Sequence, residues 1–151
     1  MNHHLSCDSA GISPCQDVVY DSVVVPPSFL ERMLEHARSC APYECCGVVG
    51  GKGRIVTSVH PLRNDLESAT QFFADPKELI DAVKKMRKSG EEMIGIYHSH
   101  PDSLAVPSQR DREENYYVGY FYFIISLMTE NPIVRCYVMS HDREFTSVQI
   151  I

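Results

Sequence analysis

The sequence has no apolar run approaching the roughly 20 residues that a membrane-spanning helix needs. Its longest, Val118 to Met128, is broken by tyrosines and a serine and reads as a buried strand. Residues Met1 to Gln16 lack a basic stretch leading into an apolar one, so they do not form a secretory signal. A membrane partner is excluded and a cytoplasmic location is expected. Positive charge is also scarce. The net charge is −6, and the one dense basic run is Lys84, Lys85, Arg87 and Lys88, which falls on the polar side of an expected helix as a solvated face. Phosphate binding wants clustered Lys and Arg, so nucleic acid is not an expected partner. The six cysteines (Cys7, Cys15, Cys40, Cys45, Cys46, Cys136) include no C-x-x-C pair, which excludes a zinc ribbon and a thioredoxin-like site. Free thiols in a reducing compartment fit this pattern, with Cys46 and Cys136 as small buried hydrophobes in strands. Internal repeats and low-complexity tracts are absent as well.

What remains is an ordinary globular composition, 44% hydrophobic and 23% charged over 151 residues, enough for one self-sufficient core. Residues 1–16 are polar and aperiodic and read as a flexible tail; residues 17–151 read as the domain. Val18 to Val25 is β-branched and reads as a strand. Pro26-Pro27 opens a helix to about Ser39, with Phe29, Leu30, Met33, Leu34 and Ala37 on one face. Cys45 to Gly50 and Arg54 to His60 form a hairpin around the Gly50-Gly51-Lys52-Gly53 run. Pro61 to Phe73 is irregular, with Asn64 and Asp65 as turn formers. Asp75 caps a second helix that begins at Pro76 and runs to about Lys88, its core face being Leu79, Ile80, Val83 and Met86. Met93 to His98 is a strand, Ser108 to about Asn115 a short helix, and Tyr120–Leu127, Ile133–Met139 and Phe145–Ile150 are three closing strands. The mixture predicts an α/β fold with a sheet packed between helices.

The chemistry concentrates around His98-Ser99-His100-Pro101. Side chains two apart on an extended backbone share a face, so both imidazoles can meet one ion while Ser99 points away. Pro101 then takes the chain out of the strand into a loop. Asp111 follows one helical turn after Ser108. That pair also fits a capping arrangement, with Ser108 as N-cap and Asp111 in the first turn, and the two readings are compatible. Were Asp111 to join the two imidazoles, three ligands would leave a position open for water, as catalytic zinc sites do, whereas structural zinc is closed by four. By position alone Glu44 is an ordinary surface carboxylate and Asn64 a turn residue.

In full register, His98-Ser99-His100, seven residues to Pro107, Ser108, two residues and Asp111 resemble the H-x-H-x7-S-x-x-D motif of the JAMM (MPN+) metallopeptidases. Pro42-Tyr43-Glu44-Cys45-Cys46-Gly47 resembles that family's upstream P-x-E-x-C-G context, and Asn64 and Phe72 fall where its typical Asn and Phe lie. The likeness spans about residues 18–150. It implies a single three-layer domain of the JAB/MPN (cytidine-deaminase-like) fold, a mixed sheet flanked by helices. It further implies one zinc ion on His98, His100 and Asp111, Glu44 as general acid/base, Ser108 as an oxyanion donor and Asn64 as a supporting residue.

The implied reaction is hydrolysis of a peptide or isopeptide bond at the C-terminal tail of a ubiquitin-like or sulfur-carrier protein, the tail adding to a strand edge near the metal. The short segments between motif residues favour the compact prokaryotic type, and a homodimer is a possible assembly. Rival classes are weaker. A non-catalytic MPN-type interaction scaffold would lack the ligands that are all intact here. A zinc deaminase needs H-x-E and P-C-x-x-C, and neither occurs. A thiol hydrolase built on Cys45 or Cys46 would place its nucleophile beside the Glu44 carboxylate, which disfavours the thiolate.

Overall fold

The computed structural model describes residues 20–151; the expected tail and the first residues of the expected first strand lie outside them. Strand β1 is Ser22–Val23, helix α1 Pro27–Cys40, β2 Cys46–Lys52, β3 Ile55–Leu62, α2 Pro76–Lys88, β4 Glu92–His100, α3 Gln109–Glu114, β5 Phe121–Ser126, β6 Ile133–Met139 and β7 Phe145–Ile150. The strands make one seven-stranded sheet in the order β1-β7-β6-β5-β4-β2-β3. Pairing is antiparallel for β2–β3, β2–β4, β5–β6 and β6–β7, and parallel for β4–β5 and β1–β7. The fold is α/β with a mixed sheet, as expected.

Two cores, one on each face of the sheet, make the three layers. On one face Met33 and Ala37 of α1 pack against Val49, Tyr97, Phe121, Phe123 and Ile125. On the other, Ala82 and Met86 of α2 pack against Val48, Ile96, Tyr122 and Ile124. Strand β5 is buried along its whole length because it contributes alternately to both. Each fully buried large apolar side chain contributes roughly 1.5–3 kcal/mol relative to exposure. The alternation breaks at Ile94, the extra residue of a bulge opposite Val49 and Gly50, so Ile94 and Ile96 serve opposite cores.

Helix α2 turns differently from expectation. Ile80 is 53% exposed, and the buried stripe runs through Ala82 and Met86 with Leu79 packed alongside. A large Ile outweighed a small Ala in the sequence pattern, but the close sheet–helix approach takes the smaller residue. The first strand is also shorter than expected. Residues 21–25 instead span the two sheet edges: Val23 pairs with Ile150 of β7, while Val24 exchanges backbone bonds of 2.9 Å with Arg54 and Val56 at the β3 edge. The β2–β3 turn is Gly53-Arg54, with Gly53 at φ +58°, a left-handed conformation that glycine adopts without strain. No helix among the described residues is long and apolar enough to cross a membrane.

Candidate metal centre

The site forms where β4 ends. Strand β4 is flanked by β2 and β5, so its histidines stand on a central, fully hydrogen-bonded strand rather than on an edge. Alternation puts His98 and His100 on the α2 face and Ser99 on the α1 face, where Ser99 Oγ accepts from Cys45 N–H at 2.8 Å. Cys46 is the register partner of His98, and the antiparallel direction carries residue 44 toward the end of β4. This pairing explains how a residue more than fifty positions away arrives at the histidines. Glu44 is buried at 4% exposure, not on the surface as its position alone suggested.

The expected cluster converges. His98 Nε2 and His100 Nε2 are 3.0 Å apart, and each lies 3.1 Å from an oxygen of Asp111, His98 from Oδ1 and His100 from Oδ2. Ligand atoms of Glu44, His98 and His100 all lie within 4.8 Å of one another. Nδ1 of His100 is 2.8 Å from the Leu104 carbonyl. That acceptor fixes the proton on Nδ1 and leaves the Nε2 lone pair facing the cluster. Two inward-facing imidazole nitrogens and a carboxylate, all buried within 3.1 Å, are a donor set for a borderline-soft divalent cation such as zinc. Among the described residues Glu44 Oε2 has no hydrogen-bond partner, and it stands beside this set.

Charge follows this geometry. Burial pushes the Glu44 carboxyl up to about 8, with His100 opposing and Asp111 adding to the shift. Burial also acts against the Asp111 carboxylate, but the two imidazoles and the Ser108 N–H outweigh it and hold the group far below the ordinary carboxylate range. Burial lowers His98 despite Asp111. For His100, the bonds to Asp111 and Leu104 overcome burial and raise it.

The supporting shell is built from three directions. Ser108 is the N-cap of α3: its Oγ accepts from Asp111 N–H at 3.0 Å, and its own N–H donates to Asp111 Oδ2 at 2.9 Å. The cap and the site therefore share Asp111. Tyr122 on β5 donates its hydroxyl to Asp111 Oδ1 at 3.3 Å. In the loop before α3, three successive carbonyls are each held by a strand side chain: Ser103 by Ser126 Oγ (2.6 Å), Leu104 by His100, and Ala105 by the Tyr137 hydroxyl (2.6 Å). Arg143 donates to the carbonyls of Arg112, Glu113 and Asn115 and so closes the C-terminal end of the helix. Phe72 stacks on His98 with ring centroids 4.7 Å apart. The contributions of Tyr122, Tyr137 and Arg143 were not legible in the sequence, because nothing local distinguishes them from other strand and hairpin residues. Asn64 does reach the site, through the backbone of Glu44.

Residues 26–139 match the family model described as prokaryotic homologs of the JAB domain. The chain belongs to this family. Within the family's reach are a desampylase from Haloferax volcanii, 39% identical over 103 residues (64% of this chain, 74% of that protein), and a probable TtuB-protein conjugate cleaving protease from Thermus thermophilus, 40% identical over 101 residues (66% and 68%). A solution structure of a protein from Desulfitobacterium hafniense superimposes with a TM-score of 0.79 at 36% identity, covering 85% of this chain and 91% of that one. The JAB assignment agrees with the JAMM resemblance of the motif and with the three-layer architecture.

Proposed function

We propose that this protein is a zinc-dependent metallopeptidase that hydrolyses a peptide or isopeptide bond at the C-terminal tail of a ubiquitin-like or sulfur-carrier protein. The observation that carries the reading is the convergence of His98, His100 and Asp111 within 3.1 Å beside a buried, unpartnered Glu44 carboxyl oxygen. The Haloferax and Thermus relatives, a desampylase and a conjugate cleaving protease, support the substrate class. His98, His100 and Asp111 would hold zinc, which lowers the pKa of water and polarises the scissile carbonyl.

The chain's own groups do the rest. Glu44 accepts a proton from the attacking water and delivers it to the leaving amine. Without metal, burial keeps this carboxyl protonated to about pH 8, and a dication on the neighbouring ligands would favour the carboxylate that accepts the proton. Ser108 spends one oxygen lone pair on the cap, which leaves its O–H free to donate to the developing oxyanion. Asp111 stays ionised, and the Leu104 carbonyl keeps the His100 lone pair turned inward. Because β4 is not an edge, the substrate tail does not pair with the histidine strand itself. A thiol-rich chain of this kind belongs in the reducing cytoplasm.

The test is zinc content by elemental analysis, wild type beside His98→Ala/His100→Ala, together with cleavage of a ubiquitin-like conjugate. The expected result is about one zinc per chain and cleavage in the wild type, with both lost in the variant. A reconstituted wild type that binds no zinc overturns the reading.

A further inference from the structure

Asn64 lies two residues beyond the end of β3 and uses its amide in both directions. Oδ1 accepts from the N–H groups of Leu66 and Phe73, each at 3.0 Å, and so closes residues 64–73 into a loop. Nδ2 donates to the carbonyls of Gln71 and Glu44, again at 3.0 Å each. The second of these bonds leaves the loop and takes hold of residue 44. The same loop grips residue 44 from its other side, since Glu44 N–H donates to the Ser68 carbonyl at 2.8 Å. At its far end the loop stacks Phe72 on His98. With Glu44 Oε2 unpartnered, the carboxyl is placed from its backbone, and both backbone polar groups of Glu44 are bonded to this loop.

We propose that Asn64 is a positioning residue: by clamping the Glu44 carbonyl to the 64–73 loop it holds the Glu44 carboxyl beside the two histidines, and it acts on turnover rather than on metal affinity. The effect on turnover rests on the metallopeptidase reading; the clamp itself does not. The four hydrogen bonds of Asn64 go to Glu44, Gln71, Leu66 and Phe73 and to none of His98, His100 and Asp111, so removing its donors displaces Glu44 while leaving the ligand set in place.

Two substitutions separate this role from a purely structural one. Asn64→Asp keeps an acceptor for Leu66 and Phe73 but replaces the donor with an oxygen that repels the Glu44 and Gln71 carbonyls. Asn64→Ala removes all four bonds and introduces no charge. Three readouts are taken on the full-length zinc-loaded protein. They are kcat and KM on a ubiquitin-like sulfur carrier bearing a C-terminal aminocoumarin amide, zinc affinity by chelator competition, and hydrogen exchange at the Glu44 amide against Ile124 as a core reference.

In both variants kcat is expected to fall about 10–100-fold, with zinc affinity nearly unchanged. Protection at Glu44 is expected to be lost while Ile124 keeps its own. Wild-type kcat in Asn64→Asp would reduce the residue to loop closure and overturn the proposal. Wild-type kcat in Asn64→Ala would attribute any Asp effect to charge and overturn it equally, as would a loss of zinc affinity that accounts for the fall in kcat. If the wild type does not turn over the probe, the metallopeptidase reading fails there and exchange still decides the clamp: lost protection at Glu44 sustains it, and retained protection overturns it.

Discussion

Replacing Glu44 with glutamine should make the metal-free protein more stable as it makes the enzyme inert. Glu44 is 4% exposed, one of its carboxyl oxygens is unpartnered among the described residues, and burial moves its pKa from an ordinary 4.5 to about 8. The unfolded chain therefore loses this proton near pH 4.5, whereas the folded protein keeps it to about pH 8. Between those values the native state binds more protons, so its stability falls as pH rises. At about 1.4 kcal/mol per pKa unit the shift sets a ceiling of about 5 kcal/mol; water reaching the site cuts this, and about 2 kcal/mol is the expected loss from Glu44 between pH 5 and pH 8. The glutamine amide of the variant does not titrate. His98 is present in both proteins and cancels in the difference, whereas His100, which the Glu44 charge helps to raise, cancels only in part and reduces the difference. The assay is urea denaturation of chelator-treated wild type and Glu44→Gln at several pH values. The variant should gain on the wild type by about 2 kcal/mol from pH 5 to 8, and with zinc restored it should retain the metal but lose turnover. Parallel stability curves would refute the claim that burial of an ionisable carboxyl is what tunes this residue.

Three further outcomes follow from the same geometry. Ser108→Ala removes both the α3 cap and the proposed oxyanion donor, so denaturation should register a loss of about 1 kcal/mol, while kcat falls by a much larger 10²–10³-fold, on the order seen when such donors are lost. Tyr122→Phe deletes only the hydroxyl bonded to Asp111 Oδ1; zinc affinity by chelator competition should weaken about 10-fold with the fold intact. Gly47→Ala would place a Cβ 2.2–2.5 Å from the Tyr97 ring and hydroxyl; because Tyr97 is fully buried and its hydroxyl is bonded to His36 at 2.8 Å, it cannot swing away, and chemical denaturation should show a loss of about 1–3 kcal/mol.

The elements whose signals are local were legible in the sequence. Asp75-Pro76 marks the start of α2 through a side-chain cap and a fixed φ, and Ile133–Met139 and Phe145–Ile150 emerge as strands at the expected bounds. His98 and His100 were also legible as a same-face pair on one strand and Ser108 and Asp111 as one helical turn, while the motif resemblance joined the two pairs into one site. The motif resemblance added Glu44, which nothing local distinguishes from a surface acid. Only the tertiary structure decided that β2 pairs with β4 so that Glu44 arrives buried at the histidines, and that Tyr122 and Arg143 brace Asp111 and its helix. It also decided that α2 turns Ala82 rather than Ile80 to the sheet and that residues 21–25 bridge the sheet's two edges. The sequence by itself determined which residues can bind a metal, because ligand chemistry and short-range backbone geometry travel with the chain. The acid strength and placement of Glu44 belong to the fold, because desolvation and strand register arise only when segments distant in sequence pack together.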